Sequence, residues 1–405
     1  MKKIKVGILK ETKTPPDRRV AIPPKQAVRL LEKFPNVELF VQSSELRAYK
    51  DEEYKELGLD VVDDISNCDI LVGVKEVDIP ALIADKTYMF FSHTAKKQAY
   101  NRELLREILK KNIRLIDYEY LTDIHGIRLV AFGRWAGIVG TYNGLLGYGL
   151  RSGRFTLRRA HECHDMDEFF EELAKVDLPN IKLLITGGGR VAHGAMEVLE
   201  HIKIKKVSPQ DFLNKEYDVP VYTQIDPWHY TRRKDGDVFD LEHFIKHPTE
   251  YESTFLPYTK VTDMLVACHF WDPNSPKFMT VDDMRASDFK IKLIADVSCD
   301  VNGPIPSTVR ASTIAEPFYG YDPVAEKEVK DAFNKNVITV MAVDNLPGEA
   351  PRNASIDFGN DLIDKVFPSL FGEDKDKIIK RATIAKKGKL TKRFSYLQDY
   401  VAGKE

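Results

Sequence analysis

The 405 residues include 60 lysines and arginines against 62 aspartates and glutamates, a formal net charge of −2, with 43% hydrophobic and 30% charged residues. Such a composition is that of a globular protein, and its charge offers no electrostatic footprint for nucleic acid or an anionic membrane. The length exceeds one ordinary core, so two domains are expected, with a small molecule as partner.

Met1-Lys-Lys-Ile-Lys-Val-Gly7 runs straight into a strand, and no secretory signal is expected. Lys3 to Leu9 reads as this first strand. A charged, proline-rich connection follows, containing Glu11, Lys13 and Arg19. Pro24 suits the first position of a helix through Ala27, Leu30 and Leu31. Val37 to Val41 reads as a strand, Glu52 to Leu57 as a short helix, and Ile70 to Val74 and Tyr88 to Phe91 as further strands. An amphipathic helix around Leu104 to Leu109 precedes a strand at Ile113 to Ile116. Strands alternating with helices predict a parallel sheet. Open sheets of this kind bind ligands at the carboxyl ends of their strands, and here those ends carry Glu11, Lys13 and Arg19, then Lys75 and Glu76, then His93, then Asp117 and Glu119.

From Gly133 to Gly147 small residues recur in a helical pattern, which lets other backbones approach closely, as a crossing between domains would require. The whole apolar stretch from Leu129 to Leu150 is interrupted by Arg134, Asn143 and glycines, and reads as a buried helix rather than a membrane span. Arg151, Arg154, Arg158 and Arg159 follow, then an acidic amphipathic helix near Met166 to Ala174.

Ile181-Lys-Leu-Leu-Ile-Thr-Gly187-Gly-Gly189-Arg-Val-Ala192 is the stretch around which the second half is organised. It reads as strand, tight turn and helix, with the Gly-x-Gly-x-x-Ala spacing of a dinucleotide-binding fingerprint. The helix N-terminus would offer N–H groups and the positive end of its dipole to a pyrophosphate. The next strand is expected at Lys205 to Ser208, which puts Ser208 where an acid would normally meet the adenosine ribose. Asp211 and Asp226 lie beyond, and Lys205 and Lys206 leave NAD and NADP both open.

Pro220 to Lys260, rich in aromatic, histidine and charged residues, shows no clear periodicity and reads as part of an insertion covering about residues 212–260. His243 and His247 have helical spacing but no evident third ligand, so no metal is expected. Cys68, Cys163, Cys268 and Cys299 lack any CxxC pairing and read as reduced thiols of a cytoplasmic protein. Strands resume at Met264 to Ala267, at Lys290 to Val297 before Asp300, and at Val337 to Val343 before Asp344 and Asn345. A helix from about Ala354 to Phe371 and a basic tail close the chain.

Several of these segments stand in the order seen in one family. Lys10-Glu-Thr-Lys13 with Arg19-Val-Ala-Ile22, Gly73-Val-Lys75-Glu76, Phe91-Ser-His93, Tyr118-Glu119, Arg128-Leu-Val-Ala-Phe-Gly133, the glycine turn, Asp296-Val-Ser-Cys-Asp300 and Asp344-Asn-Leu-Pro347 together resemble the lysine-forming, NAD-dependent saccharopine dehydrogenases. Alanine dehydrogenase and the first subunit of nicotinamide nucleotide transhydrogenase belong to the same superfamily. The resemblance implies an α/β protein of two Rossmann-like domains, each a parallel sheet flanked by helices, with the active site in the cleft between them. Residues 1–136 with 346–405 would form the substrate domain and residues 137–345 the dinucleotide-binding domain.

The same resemblance implies oxidative deamination of saccharopine to lysine and 2-oxoglutarate, or the reverse condensation, with NAD as cofactor and NADP left open. Lys75 would take the amine proton and His93 would activate water, with Glu76 and Glu119 tuning both. Arg19, Lys13 and Arg128 would bind substrate carboxylates. Gly187, Gly189, Arg190, Val191, Ser208, Asp300, Asp344 and Asn345 would form the cofactor set. Alanine dehydrogenase or a related opine-type enzyme is the alternative catalyst, and an NAD(H)-binding sensor the non-enzymatic one. A homo-oligomer is compatible with the sequence but not specified by it.

Overall fold

A computed structural model of the protein describes residues 3–404. The chain forms two compact units, one made of the residues up to Phe132 together with those from Pro351 onward, the other running from Gly133 to Ala350. Strands β1 (Ile4–Ile8), β2 (Val37–Gln42), β3 (Asp60–Val62), β4 (Ile70–Val72), β5 (Thr87–Phe90) and β6 (Arg114–Asp117) belong to the first unit. The second holds β7 (Lys182–Thr186), β8 (Lys205–Lys206), β9 (Val221–Ile225), β10 (Thr231–Arg233), β11 (Tyr251–Ser253), β12 (Met264–Ala267), β13 (Leu293–Asp296), β14 (Phe318–Asp322), β15 (Lys327–Val329) and β16 (Ile338–Met341). Strands β17 (Thr383–Lys386) and β18 (Lys389–Leu390) return to the first unit.

The first sheet has the order β18-β17-β6-β5-β4-β1-β2-β3, and the second β15-β14-β16-β13-β12-β7-β9-β8. In each, six strands are parallel and an antiparallel hairpin closes one edge. The central strands are buried on both faces, as helices on either side of a parallel sheet require: every residue of β4, β7, β12, β13 and β16 is buried. The expectation of two α/β sheets therefore holds, with ten of the twelve parallel strands where the sequence placed them; β3, β9 and the two edge hairpins are additions to it. The basic tail is one of them, since β17 and β18 are held against β6 by a sheet edge that local periodicity cannot reveal.

Helix Pro24–Lys33 begins with its proline at the first turn, where no N–H is needed. The C-terminal helix Pro351–Asp361, continued by a π-helical turn at Leu362–Val366, packs beside it. Arg29 binds Asp364 with both oxygens accepting, at 2.7 and 2.9 Å, and Val20 N–H donates to Ser355 Oγ at 2.9 Å. These bonds bring residues more than three hundred positions apart into one core.

Two readings of the second unit need correction. The segment from Pro220 is not inserted at its start: β9 is an interior strand of the sheet, between the edge strand β8 and the glycine strand β7, and parallel to both. Its pattern was obscured because Tyr222 and Thr223 are both buried, so no alternation marks it. The excursion begins after Ile225 and contains the small β10–β11 hairpin. The glycines of helix Gly133–Ser152, in turn, serve packing inside the second unit. A Cβ at Gly137 would collide with the Val191 carbonyl, one at Gly194 with the Arg134 carbonyl, and one at Gly144 with Met264.

Among the described residues no helix is long and apolar enough to cross a membrane. The His243 and His247 rings lie 4.8 Å apart, and His243 Nδ1 is 3.2 Å from the Tyr251 hydroxyl, a contact internal to the excursion.

Because the Val191 carbonyl is backbone and cannot swing aside, Gly137→Ala must separate helix Gly133–Ser152 from helix Arg190–His201. We expect a loss of about 1–3 kcal/mol or more in urea unfolding. Gly189→Ala, where a Cβ meets open space, is expected to leave the same measurement nearly unchanged.

Candidate functional site

In the first sheet the adjacent strands β6, β5, β4 and β1 point the same way, so the segments that follow them share one edge. The segment after β1 is anchored by Glu11, whose Oε1 and Oε2 accept the backbone N–H groups of Val74 and Lys75 at 2.7 and 2.8 Å. Burial pushes this carboxyl up to about 7, against the lowering effect of those two bonds. The loop that sequence alone leaves irregular is thus fastened to the residue expected to act as base.

Glu76 stands between Lys13 and His93. Its Oε2 accepts from Lys13 Nζ at 2.8 Å and its Oε1 faces His93 Nδ1 at 2.6 Å. Burial alone would raise its pKa, but the bonds from His93 and Lys13 outweigh it and hold the group at about 2. As a carboxylate it accepts Nδ1–H, leaving Nε2 as the basic nitrogen of the His93 ring. His93 itself sits at a left-handed backbone angle, φ 52°. The next strand end holds it there: Asp117, wholly buried, accepts the N–H and hydroxyl of Ser92 and the N–H of Glu119. Non-glycine residues in this conformation are uncommon and gather at functional sites.

Lys75 lies beside this relay with its ammonium pKa lowered, first by burial and then by the positive charge of Arg19. That is the direction a lysine base needs.

Other expected residues are placed less simply. Arg19 is 2% exposed, and its Nε and Nη2 form a fork with Asp17 at 3.0 and 2.6 Å while its guanidinium lies 4.3 Å from the centre of the Phe132 ring. The edge of the guanidinium that would grip a carboxylate in bidentate fashion is therefore occupied by Asp17. Glu119 gives a carboxylate oxygen to Lys96 at 2.8 Å. Arg128 is exposed, on an isolated bridge with Thr122.

The second sheet presents its own edge. Gly187 takes φ +88°, and Gly189 starts helix Arg190–His201 with open space where a Cβ would stand. Arg190 and Val191 form the first turn of that helix, and Ala192 is fully buried beneath it. These are the features a pyrophosphate would use: a turn reserved for glycine, an unobstructed approach and the positive end of a helix dipole. Ser208 follows the edge strand β8, which β9 separates from β7, and its Oγ accepts from Asp211 N–H at 3.1 Å as a helix cap. It also lines a cavity of about 460 Å³ with Thr223, Gln224 and His229. The residue that ends the strand next to the glycines is Asp226, whose carboxylate would collide with a Cβ at Gly188. Asp300 follows β13 and is half-buried, with its pKa raised by burial and by Asp296. Asp344 and Asn345 follow β16, at the same edge.

Residues 7–139 match the family model described as alanine dehydrogenase/PNT, N-terminal domain. The chain is 31% identical over 433 residues to the mitochondrial alpha-aminoadipic semialdehyde synthase of Mus musculus, covering 94% of this chain and 46% of the synthase. It thus spans a little under half the length of that relative. It is 26% identical to the NAD(+), L-lysine-forming saccharopine dehydrogenase of Schizosaccharomyces pombe, covering 87% of this chain and 89% of that protein. A solved L-alanine dehydrogenase shares the fold with a TM-score of 0.66 at 15% identity, over 99% of both chains. The chain is thus similar to the alanine dehydrogenases and saccharopine dehydrogenases, with the family match confined to its first 139 residues.

Three features of the candidate site escaped sequence reading. Glu11 was legible as a strand-end acid but not as the clamp on Lys75, because its partners lie 63 and 64 residues away. Asp17 was passed over as a loop residue. Asp226 was visible only as an acid too distant for the fingerprint, since helix Pro209–Asn214 and β8 lengthen the path from β7 to its neighbour.

Glu11 supplies a pH test. Its folded pKa lies above the unfolded value, so its contribution to stability is complete below the ordinary carboxylate range and is lost as pH rises through about 7. We expect Glu11→Gln to flatten the decline in urea-unfolding stability between about pH 4 and 8 by on the order of 1–3 kcal/mol. An unchanged profile would show that Glu11 is not the group responsible.

Proposed function

We propose that the protein catalyses the nicotinamide-linked interconversion of saccharopine with lysine and 2-oxoglutarate. The observation that carries this reading is the strand-end cluster in which a half-buried, pKa-lowered Lys75 adjoins the Lys13–Glu76–His93 relay. In the oxidative direction neutral Lys75 takes the proton of the substrate's secondary amine. The bound cofactor supplies the hydride acceptor. The carbon that loses hydride becomes the imine carbon, His93 Nε2 removes a proton from attacking water, and the imidazolium then passes that proton to the carbinolamine nitrogen and takes the hydroxyl proton as the C–N bond breaks, releasing lysine and 2-oxoglutarate. Glu76 holds the imidazole in the required tautomer and stabilises it when protonated. Lys13 and Arg19 supply positive charge for the carboxylates, Arg19 with the part of its guanidinium that Asp17 does not occupy. Arg128 is assigned to the same carboxylates through the family resemblance, and Glu119 to electrostatic tuning of the site.

For the cofactor we assign Gly187, Gly189, Arg190 and Val191 to the pyrophosphate, and Asp300, Asp344 and Asn345 to the nicotinamide side. Ser208 borders the cavity beside the end of β9 and is given to the adenosine end. Asp226 takes the place of the ribose acid. A carboxylate there accepts hydrogen bonds from ribose hydroxyls and repels a 2′-phosphate, which favours NAD over NADP.

The test is loss of NADH absorbance with 2-oxoglutarate and a panel of amines. Oxidation that requires lysine, abolished by Lys75→Met with NADH binding retained, is the expected result. Turnover with pyruvate and ammonia instead would move the protein to the alanine dehydrogenase reaction, and binding without turnover would mark a sensor. Asp226→Asn is expected to narrow the preference for NADH over NADPH by tenfold or more in kcat/KM, and an unaltered ratio would remove Asp226 from the ribose site.

A further inference from the structure

At the other end of β6 from Asp117 and Glu119, the first unit carries a second concavity that the proposed reaction does not use. It is a cavity of about 480 Å³ whose ten lining residues comprise seven lysines or arginines, two threonines and one acid, Asp374. On a chain with a formal charge of −2, this is a local concentration of one sign.

The single acid does little to offset it. Both oxygens of Asp374 are engaged by backbone N–H groups, Oδ1 by Ile379 at 3.2 Å and Oδ2 by Lys380 at 2.9 Å. Arg381 is likewise committed, donating to Thr122 and to the Asp376 carbonyl. Arg114 is different. It opens β6, is half-buried, and makes one long hydrogen bond, Nη2 to Thr383 Oγ1 at 3.5 Å, while its Nε is buried without a partner. Burial lowers its pKa, with Asp374 opposing that shift. An unmet buried donor is unfavourable, and crowded like charges add repulsion. An anion seated on the Arg114 guanidinium would relieve both.

We propose that this cavity binds a small polyanion carrying two or more linked phosphate groups. Arg114 is the bidentate seat, and exposed Lys380 and Lys392 close on the remaining charge. The volume exceeds that of one orthophosphate, and the excess of cations calls for more than one anionic group.

Calorimetric titration of the full chain with inorganic triphosphate, at low and high salt, tests the assignment. We expect one triphosphate per chain, with orthophosphate at least tenfold weaker and affinity falling as salt rises. Arg114→Gln and the double variant Lys380→Gln/Lys392→Gln should each weaken triphosphate binding at least tenfold, whereas Lys75→Met should not. The double variant changes only exposed side chains, so it decides the matter if Arg114→Gln fails to fold. No binding to the native chain, or equal affinity in the native chain and the double variant, would overturn the proposal. So would binding of RNA or anionic vesicles without binding of triphosphate, which would make the surface a macromolecular docking site.

Discussion

Glu11 engages both oxygens of its half-buried carboxyl group with the backbone of Val74 and Lys75, and the candidate site depends on that attachment. It joins the loop after β1 to the segment after β4, strands that are neighbours in the sheet. The loop brings Lys13 to Glu76, and Glu76 orients His93. The backbone position of the base and the tautomer of the imidazole are therefore set by one connected set of hydrogen bonds. A like role falls to Asp117 one strand pair away, where three hydrogen bonds hold the turn that puts His93 at positive φ. Buried acids serve here as fasteners between loops, which is costly in desolvation and affordable only when backbone donors are supplied.

The electrostatics of this edge follow from the same placement. Glu76 stays ionised because two donors surround it, while Lys75 loses part of its affinity for a proton because burial and Arg19 act together. Both neighbours are thereby pushed toward the deprotonated form, Glu76 as the carboxylate that orients His93 and Lys75 toward the neutral amine that a base must be. Arg19 is held in turn by Asp17, so it acts on Lys75 as a fixed charge.

In the second unit the organising constraint is close approach of backbone. Gly137 and Gly194 let helices Gly133–Ser152 and Arg190–His201 cross with carbonyls against glycine faces. That packing seats the N-terminus of the second helix over β7, with Gly187 turning the chain and Gly189 leaving the approach open. Asp226 reaches the same turn from β9.

What the sequence by itself determined is everything encoded locally. Apolar runs marked the parallel strands, Pro24 marked a helix start, the Gly187-x-Gly189 spacing marked a turn that other residues cannot make, and the polar residues after each run marked the functional edge. Tertiary structure alone decided which strands are neighbours, and hence which chemistry is shared. It placed β9 rather than β8 beside the glycine strand, making Asp226 rather than Ser208 the residue at the turn. It folded the basic tail into an edge hairpin, gathering Arg114 with residues from 374 to 393 around one cavity. It also closed Asp17 onto Arg19. The physical reason is common to these cases: sheet order, edge pairing and ion pairing depend on separations in space, and a periodicity read over ten residues carries no information about partners that lie tens or hundreds of residues away.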